Sequence, residues 1–280
     1  MKRIICLISA LLGCLALGAQ ENAGDIKAEY ERQVRYVGAD GLGVETIINR
    51  WEAAAPDDPE VHVARFNYWL ARSQARTEVK SMPLKKYLGR EPVVTLKDSL
   101  GGDVNYFEDV VYDDEAFGEA LKAVEKAISL KPEELSYRFY KITAVLDYEK
   151  DSPDMALEDI EALIDEYSSG SHGWTFMGHP ADDEVFRQGI GEYCYKLFMI
   201  ASPLSYEYFL EISEKMNGLY PDDTVFINNI GSYWQVAAGN SRKALRYYRK
   251  ALKIDPEDYV ANTNIRIIQS LQSRKGRPSK

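Results

Sequence analysis

The chain has 280 residues, of which 45% are hydrophobic and 28% are charged, a balance typical of globular proteins that excludes a wholly disordered or collagen-like chain. Its formal net charge of −10 argues against general binding of nucleic acid or of an anionic membrane, because both require a surface of the opposite sign. The length allows one large domain or two small ones, so the organisation must be read from patterns along the chain.

Residues 1–19 have the three parts of a secretory signal peptide. Lys2 and Arg3 are basic, residues 4–17 are apolar and uncharged, and the small residues of a cleavage site follow. The apolar run is shorter than the roughly 20 residues of a membrane-spanning helix, and no second run of this kind occurs. We therefore predict an exported protein, periplasmic or secreted in a bacterium, with no membrane span.

An alternative for this segment is a lipid anchor. The residues up to Cys14 resemble the lipobox of bacterial lipoproteins, but Leu12 is larger than the residue favoured there and the apolar run continues past Cys14. With a cleaved signal peptide, Cys194 is the last cysteine left in the mature chain, which excludes an internal disulfide. Its apolar surroundings predict a small buried side chain.

After residue 20 the apolar residues recur with the period of a helix. In residues 113–131, for example, Ala120, Val124 and Ala127 fall on one face, and Pro132 ends the segment. We predict eleven helices, over residues 26–37, 42–55, 59–75, 113–131, 134–149, 153–168, 182–200, 204–218, 222–238, 241–254 and 258–273. Proline followed by two acids closes four of them, at Pro56, Pro132, Pro221 and Pro256, and these acids favour the start of the next helix.

Residues 77–112 interrupt the helical pattern. The runs 92–97 and 103–112 are rich in β-branched and aromatic residues, and a Gly-Gly turn lies between them, which predicts an inserted β-hairpin. In repeat arrays such insertions often lie on the binding face, and the alternative is a hairpin that covers an exposed helix edge.

The sequence contains only weak signals for catalytic or metal-binding groups. His172 and His179 lie near two aspartates, but their spacing matches no recognised zinc geometry, so we predict no metal and no cofactor. Carboxylates of the hairpin offer a hydrolase as a minor alternative; they are Asp98, Asp103, Glu108 and Asp109. Phosphate-binding, serine-hydrolase and zinc-protease motifs do not occur, so we predict that the protein is not an enzyme.

The helix at 241–254 repeats the pattern of the helix at 113–131. The spacing Ala-x3-Tyr-x2-Ala-x4-Pro, met by Ala244, Tyr248, Ala251 and Pro256, resembles the second helix of a tetratricopeptide repeat (TPR), and Ile230-Gly231 resembles the Leu-Gly pair of its first helix. The interval from Pro221 to Pro256 is close to the TPR period. The resemblance implies an all-α, right-handed solenoid of helix pairs, here with the inserted hairpin.

The resemblance also implies that first helices line a concave groove that binds peptides. Aromatic residues recur on these helices, and part of each set belongs to the core. The polar groove candidates are Arg65, Asn67, Arg138, Lys141, Asn228, Asn229, Ser232 and Gln235. A one-residue insertion leaves open whether Asn228 or Asn229 matches the family position. Such side chains suit hydrogen bonding to an extended peptide.

The predicted organisation is therefore a signal peptide (1–19), one TPR-like array (20–273) with the insertion at 77–112, and a disordered basic tail (274–280). The predicted function is an exported, non-catalytic scaffold that binds a protein or peptide partner in its groove. We further predict that the groove and the hairpin of residues 92–112 bind the same partner. The alternative is a cell-envelope protein that binds carbohydrate or assists glycan uptake, because aromatic side chains stack on sugars.

Overall fold

The computed structural model describes residues 22–150, 152–170 and 173–275. Within these ranges the helices are α1 (Ala23–Val37), α2 (Val44–Ala54), α3 (Pro59–Ser73), α4 (Asp114–Leu130), α5 (Leu135–Glu149), α6 (Asp154–Ser168), α7 (Asp183–Ile200), α8 (Pro203–Leu219), α9 (Thr224–Val236), α10 (Ser241–Ile254) and α11 (Tyr259–Lys275). The strands are β1 (Arg76–Met82), β2 (Val94–Lys97), β3 (Asp103–Val111), β4 (Thr175–Phe176) and β5 (His179–Pro180).

Each predicted helix is present, and its boundaries lie within three residues of the prediction. The predicted signal peptide and Cys14 lie outside the described residues. Two residues of the predicted tail, Arg274 and Lys275, belong instead to α11, and the rest of the tail is also outside the described ranges. Across the described ranges, every helix is too short or too polar to cross a membrane.

The helices pack in chain order as pairs. The pairs are α1/α2, α3/α4, α5/α6, α7/α8 and α9/α10, and α11 packs on the last pair. Contacts of α2 with α3, α4 with α5 and α8 with α9 join successive pairs, while the third and fourth pairs meet through α5–α7 and α6–α8. The result is an all-α solenoid in which each pair buries its apolar face against its neighbours. We call the earlier member of each pair its first helix and the later member its second helix.

The motif residues that resemble a TPR lie where two helices approach closely. Ala244, Tyr248 and Ala251 are fully buried on the face of α10 that packs against α9. A Cβ atom at Gly231 would lie only 2.7 Å from the Tyr248 ring, so this position requires glycine. Small residues therefore set the separation of the pair, and the tyrosine fills the space between them.

The acids that follow the prolines do cap helices, with one exception. Asp58 and Asp223 accept hydrogen bonds from backbone N–H groups in the first turns of α3 and α9, and Asp258 does so for α11. Glu134 stands at the corresponding place before α5 but makes no side-chain cap. Its carboxylate is used elsewhere, as described below.

The insertion separates the two helices of one pair, α3 and α4. The predicted hairpin is present as β2 and β3, and β1 adds a third antiparallel strand in the order β1-β3-β2. β1 was not predicted from the sequence, because it alternates charged residues at Arg76, Glu78 and Lys80 and is mostly exposed, so no apolar alternation marks it.

One face of this small sheet packs against the ends of the helices. Phe107 is buried, and the buried Asp109 carboxylate accepts hydrogen bonds from Lys80 of β1 and from Lys150 at the end of α5 at 2.7 and 2.8 Å. Burial opposes ionisation of Asp109, yet the two lysines hold its pKa below the usual range. Asp109 therefore attaches the insertion to the array.

Candidate partner-binding site

Two cavities lie along the first helices. The first, which we call the N-cavity, has a volume of about 370 Å³ and lies between α1, α3 and α5. Its lining includes Lys27, Tyr30, Glu31, Trp51, Glu60, Asn67, Lys131, Glu134, Ser136, Tyr137, Tyr140, Met177 and Gly178. Three successive first helices thus contribute to one concave site.

Glu134 holds the β4–β5 turn at the edge of the N-cavity. Its carboxylate is 2% exposed and accepts hydrogen bonds from the backbone N–H groups of Met177 at 2.7 Å and Gly178 at 3.0 Å. Thr175, Ser136 and Lys131 donate as well. Burial alone would raise the pKa of Glu134, but these donors lower it to about 2. The turn is tight, since Met177 and Gly178 both have positive φ, as type I′ turns require.

Aromatic side chains form the wall of the N-cavity. Tyr137 is 6% exposed, and its hydroxyl has no hydrogen-bond partner among the described residues. Burial, followed by the negative charges of Glu60 and Glu134, raises the pKa of Tyr137 well above its usual range. The cavity therefore presents an unused phenol donor in a negative field.

The pKa values of the other two tyrosines change for a similar reason. Burial is the main cause that raises the pKa of Tyr30 and of Tyr140, and hydrogen bonds with Asn67 and Ser136 partly oppose it. The tyrosines of the N-cavity are therefore neutral at any physiological pH. They offer hydroxyl groups and ring faces to a ligand.

The second cavity, the C-cavity, has a volume of about 690 Å³ and lies between α5, α7 and α9. Phe139 and Phe176 form its apolar part, and Phe139 packs directly over Gly189, where a Cβ atom would lie 2.4 Å from the ring. Arg187 also lines it and is paired with Asp223 at 2.6 Å. Residues of β4–β5 line both cavities, so this hairpin lies between them.

All three cations among the predicted groove residues form ion pairs with carboxylates of this chain. Arg65 contacts Glu52 on α2. Arg138 contacts Glu166 at 2.6 Å, and Lys141 contacts Asp159 at 2.9 Å, both on α6. Each cation therefore joins a first helix to a neighbouring second helix, and neither cavity includes any of the three in its lining.

The predicted candidates on α9 also face inward. Asn228 is 4% exposed and donates to both carboxylate oxygens of Asp258, at 2.9 and 3.0 Å, so it holds the cap of α11 and is not available in a groove. Asn229 lies half-buried against the Cys194 thiol. Ser232 and Gln235 contact the Tyr248 hydroxyl at 3.3 and 2.7 Å.

Asn67 differs from the other seven candidates, because it is exposed and lines the N-cavity. Residues of α1 and of the Met177–Gly178 turn also line the N-cavity and were not predicted from the sequence. The recurrence of tyrosine on first helices and the Met-Gly pair were the available signals. Neither signal indicates which distant segments meet.

The remaining candidate groups are carboxylates of the inserted sheet, Cys194 and the histidines, and the aspartates of the sheet and Cys194 make local contacts or are buried. Asp98 accepts from backbone N–H groups of its own turn, and Asp103 pairs with Lys97. Cys194 is fully buried, as predicted, and burial raises the pKa of its thiol to about 12. Within the described ranges there is no cluster of His, Cys, Asp or Glu able to hold a metal ion, and His172 lies outside those ranges.

No protein-family model matches the chain, and no curated protein sequence matches it. Solved structures do resemble it. YrrB, described as a TPR protein with an unusual peptide-binding site, is 13% identical with a TM-score of 0.41, over 87% of this chain and 88% of YrrB. MamA 41-end from Desulfovibrio magneticus RS-1 is 12% identical with a TM-score of 0.40, over 87% of this chain and 99% of that one. Another MamA structure is 12% identical with a TM-score of 0.41, over 84% and 94%.

These identities and TM-scores are too low to support any conclusion about a ligand. The assignment of the fold rests on the chain's own helix pairs and on the close packing of Gly231, Ala244, Tyr248 and Ala251. By that packing, the chain is an all-α solenoid of TPR-like helix pairs with an inserted three-stranded sheet.

Proposed function

We propose that the protein is a non-catalytic scaffold that binds an extended segment of a protein partner along its first helices, with a basic side chain of the partner in the N-cavity. The observation that carries this proposal is the hydroxyl of the mostly buried Tyr137, which has no hydrogen-bond partner among the described residues and faces a cavity walled by aromatic rings. The phenol oxygen can accept a hydrogen bond from a lysine or arginine side chain, and its O–H can donate to a main-chain carbonyl of the same segment.

The charges around the N-cavity favour a cationic side chain. Lys27 is paired with Glu60, and Lys131 is paired with Glu134 at 3.0 Å. Glu31 forms no ion pair among the described residues, so the lining retains a negative charge. Tyrosine and tryptophan faces also attract lysine and arginine through their ring quadrupoles.

The backbone of the partner has complementary groups available nearby. Asn67 is exposed beside the cavity and can both donate to and accept from an extended main chain. The apolar C-cavity lies farther along the same first helices, where an uncharged side chain of the same segment would fit beside Phe139. An extended segment that crosses both cavities would pass over the β4–β5 hairpin.

We place this function outside the cytoplasm, because residues 1–19 have the pattern of a signal peptide. Edman sequencing of the protein recovered from bacterial envelope and medium tests this assignment. A mature N-terminus near residue 20 is expected. An intact Met1 in cytosolic protein would contradict export. A lipid-modified Cys14 at the N-terminus would show instead that the exported protein is anchored to a membrane.

Peptide binding tests the main proposal. In an array of Gly/Ser peptides that each carry one variable residue, lysine and arginine peptides should bind best, and glutamate peptides should not bind. Tyr137→Phe should weaken the best peptide about fivefold by calorimetry, since one hydrogen bond is worth about 1 kcal/mol. Tyr36→Phe changes an exposed tyrosine outside both cavities and should have no effect. Equal losses in both variants would contradict the proposal.

Carbohydrate binding is the second candidate, because the same aromatic wall with Asn67 and Ser136 beside it has the composition of a sugar site. A glycan array separates the two functions. Glycan binding that Tyr137→Phe weakens, together with no response to the peptide array, would favour the carbohydrate function.

A further inference from the structure

A dense stripe of positive charge covers one side of α10. The stripe consists of Arg242, Lys243, Arg246, Arg249, Lys250 and Lys253. At 100° per residue these six positions fall within about a third of the helix circumference, opposite the buried Ala244, Tyr248 and Ala251. All six residues are exposed, and none forms an ion pair with another described residue.

This stripe works against the stability of its own helix. Arg242 and Lys243 lie in the first turn, where the helix dipole favours acids, and α10 has no acid there. By contrast, α1, α3 and α4 begin with Asp25, Glu60 and Asp114. Cations three and four residues apart also repel one another along α10. The cations at the start of α10 oppose the helix dipole, and no ion pair with a described residue offsets this cost. Such an arrangement indicates an interaction with another molecule.

The charge is also unusual for this chain. After residue 240 there are eleven Lys and Arg residues and only three Asp and Glu residues, whereas the whole chain carries a net charge of −10. The positive charge is therefore concentrated in the C-terminal part, and the rest of the chain is strongly acidic. A partner drawn to α10 must be anionic where it touches the stripe.

A cavity that shares three residues with the stripe adds an aromatic feature to it. It has a volume of about 330 Å³ and is lined by Trp234, Lys243, Arg246, Tyr247 and Lys250. The Lys243 ammonium nitrogen lies 3.7 Å from the centre of the Trp234 ring, and the indole Nε1 of Trp234 is buried without a hydrogen-bond partner. The cavity thus has an aromatic residue in its lining, bordered by cations.

We propose that α10 binds an acidic segment of a protein partner, with one apolar side chain of that segment in the cavity beside Trp234. The stripe from Arg242 to Lys253 is about 16 Å long, which about five extended residues can span. Their carboxylates would pair with the exposed arginines and lysines. This site is separate from the N-cavity and C-cavity, and it requires the opposite charge in its ligand.

Two other anionic partners fit the stripe less well. A membrane surface is bound more strongly when exposed apolar side chains insert beside the cations, and Ile254 next to Lys253 is the one such side chain of α10. A long nucleic acid would extend past the stripe and meet the acidic remainder of the chain, which repels it. A short acidic segment avoids both problems.

Fluorescence anisotropy of the full chain with labelled probes tests the proposal. The probes are two acidic peptides of about ten residues that differ by a central leucine or glycine, a duplex DNA, and vesicles with anionic phosphatidylglycerol. The leucine peptide should bind best, and added salt should weaken it because the charges are exposed. The triple variant Arg246→Gln/Arg249→Gln/Lys250→Gln should bind it about tenfold more weakly.

A matched control removes the same charge elsewhere. Arg35→Gln/Lys85→Gln/Lys126→Gln changes three exposed cations that have no ion-pair partner among the described residues. It should keep wild-type affinity, and circular dichroism should show that both variants are folded. Equal loss in both variants, no peptide binding, or tighter binding of DNA or vesicles than of peptide would overturn the proposal.

Discussion

Cations on the first helices and cations on α10 have different surroundings. Arg65, Arg138 and Lys141 each contact a carboxylate on a neighbouring second helix; Arg65 joins two successive pairs, and the other two cations join the helices of the α5/α6 pair. The six cations of α10 contact no carboxylate of the described chain. Residue type and helix position therefore do not identify a binding cation. A cation is available to a partner only where the fold places no acid beside it.

Removal of a paired, buried charge is expected to have the largest effect on stability. Glu134→Ala leaves Lys131 and the turn amides of Met177 and Gly178 without their acceptor, and should lower the free energy of unfolding by about 3 kcal/mol. Urea denaturation measures the change. Glu158→Ala removes an exposed acid with no described contact and should change stability by less than about 0.5 kcal/mol.

The Glu134 carboxylate should also make the stability of the protein depend on pH in the acidic range. The folded pKa of Glu134 is lowered from 4.5 to about 2, so its contribution is complete above pH 4.5 and is lost as the pH falls towards 2. Glu134→Gln should therefore reduce the loss of stability across this range relative to the wild type. Identical acid denaturation curves for the two proteins would show that Glu134 is not the group responsible.

The next effect concerns a buried polar pair on α9 and α11. Asn228→Ala leaves the mostly buried Asp258 carboxylate without its side-chain donor and should destabilise the protein by about 2 kcal/mol, with early hydrogen exchange in α11. Asn229→Ala serves as the control and should leave the exchange of α11 unchanged. If Asn229→Ala instead released α11, the assignment of the pair would be wrong.

Removal of unpaired charge should have the smallest effect on stability and the opposite sign. Arg246→Gln/Arg249→Gln/Lys250→Gln relieves repulsion along α10 and should raise the free energy of unfolding by about 0.5 kcal/mol. If this variant were clearly less stable than wild type in urea, the cations of α10 would stabilise the fold as those of the first helices do. A gain in stability together with a loss of peptide affinity is the expected combination.

The helices could be predicted closely because their signals are local. Apolar periodicity, Pro132 and Pro256 as stops, and capping acids such as Asp58 and Asp223 act within a few residues of one another. The third strand, β1, could not be predicted, because an exposed edge strand is specified by its partner β3 rather than by its own pattern.

The candidate site was predicted less well than the fold. Asn67 was identified from its helix and does line the N-cavity, whereas Asn228 was placed in the groove and is instead buried against Asp258. Both are asparagines on first helices, so the sequence does not distinguish them. The difference arises from Asp258 at the start of α11, which accepts hydrogen bonds from Asn228, whereas Asn67 stays exposed beside the N-cavity.

The helices, the place of the insertion and the concentration of positive charge after residue 240 follow from the sequence alone. These properties depend on neighbouring residues or on composition. Tertiary contacts place the Glu134 carboxylate on the β4–β5 turn at the N-cavity and leave the Tyr137 hydroxyl unused there, and they bring no acid of the described residues into an ion pair with α10. Each of these depends on which distant side chains meet, since a charge or a hydroxyl is free only where the folded chain brings it no partner.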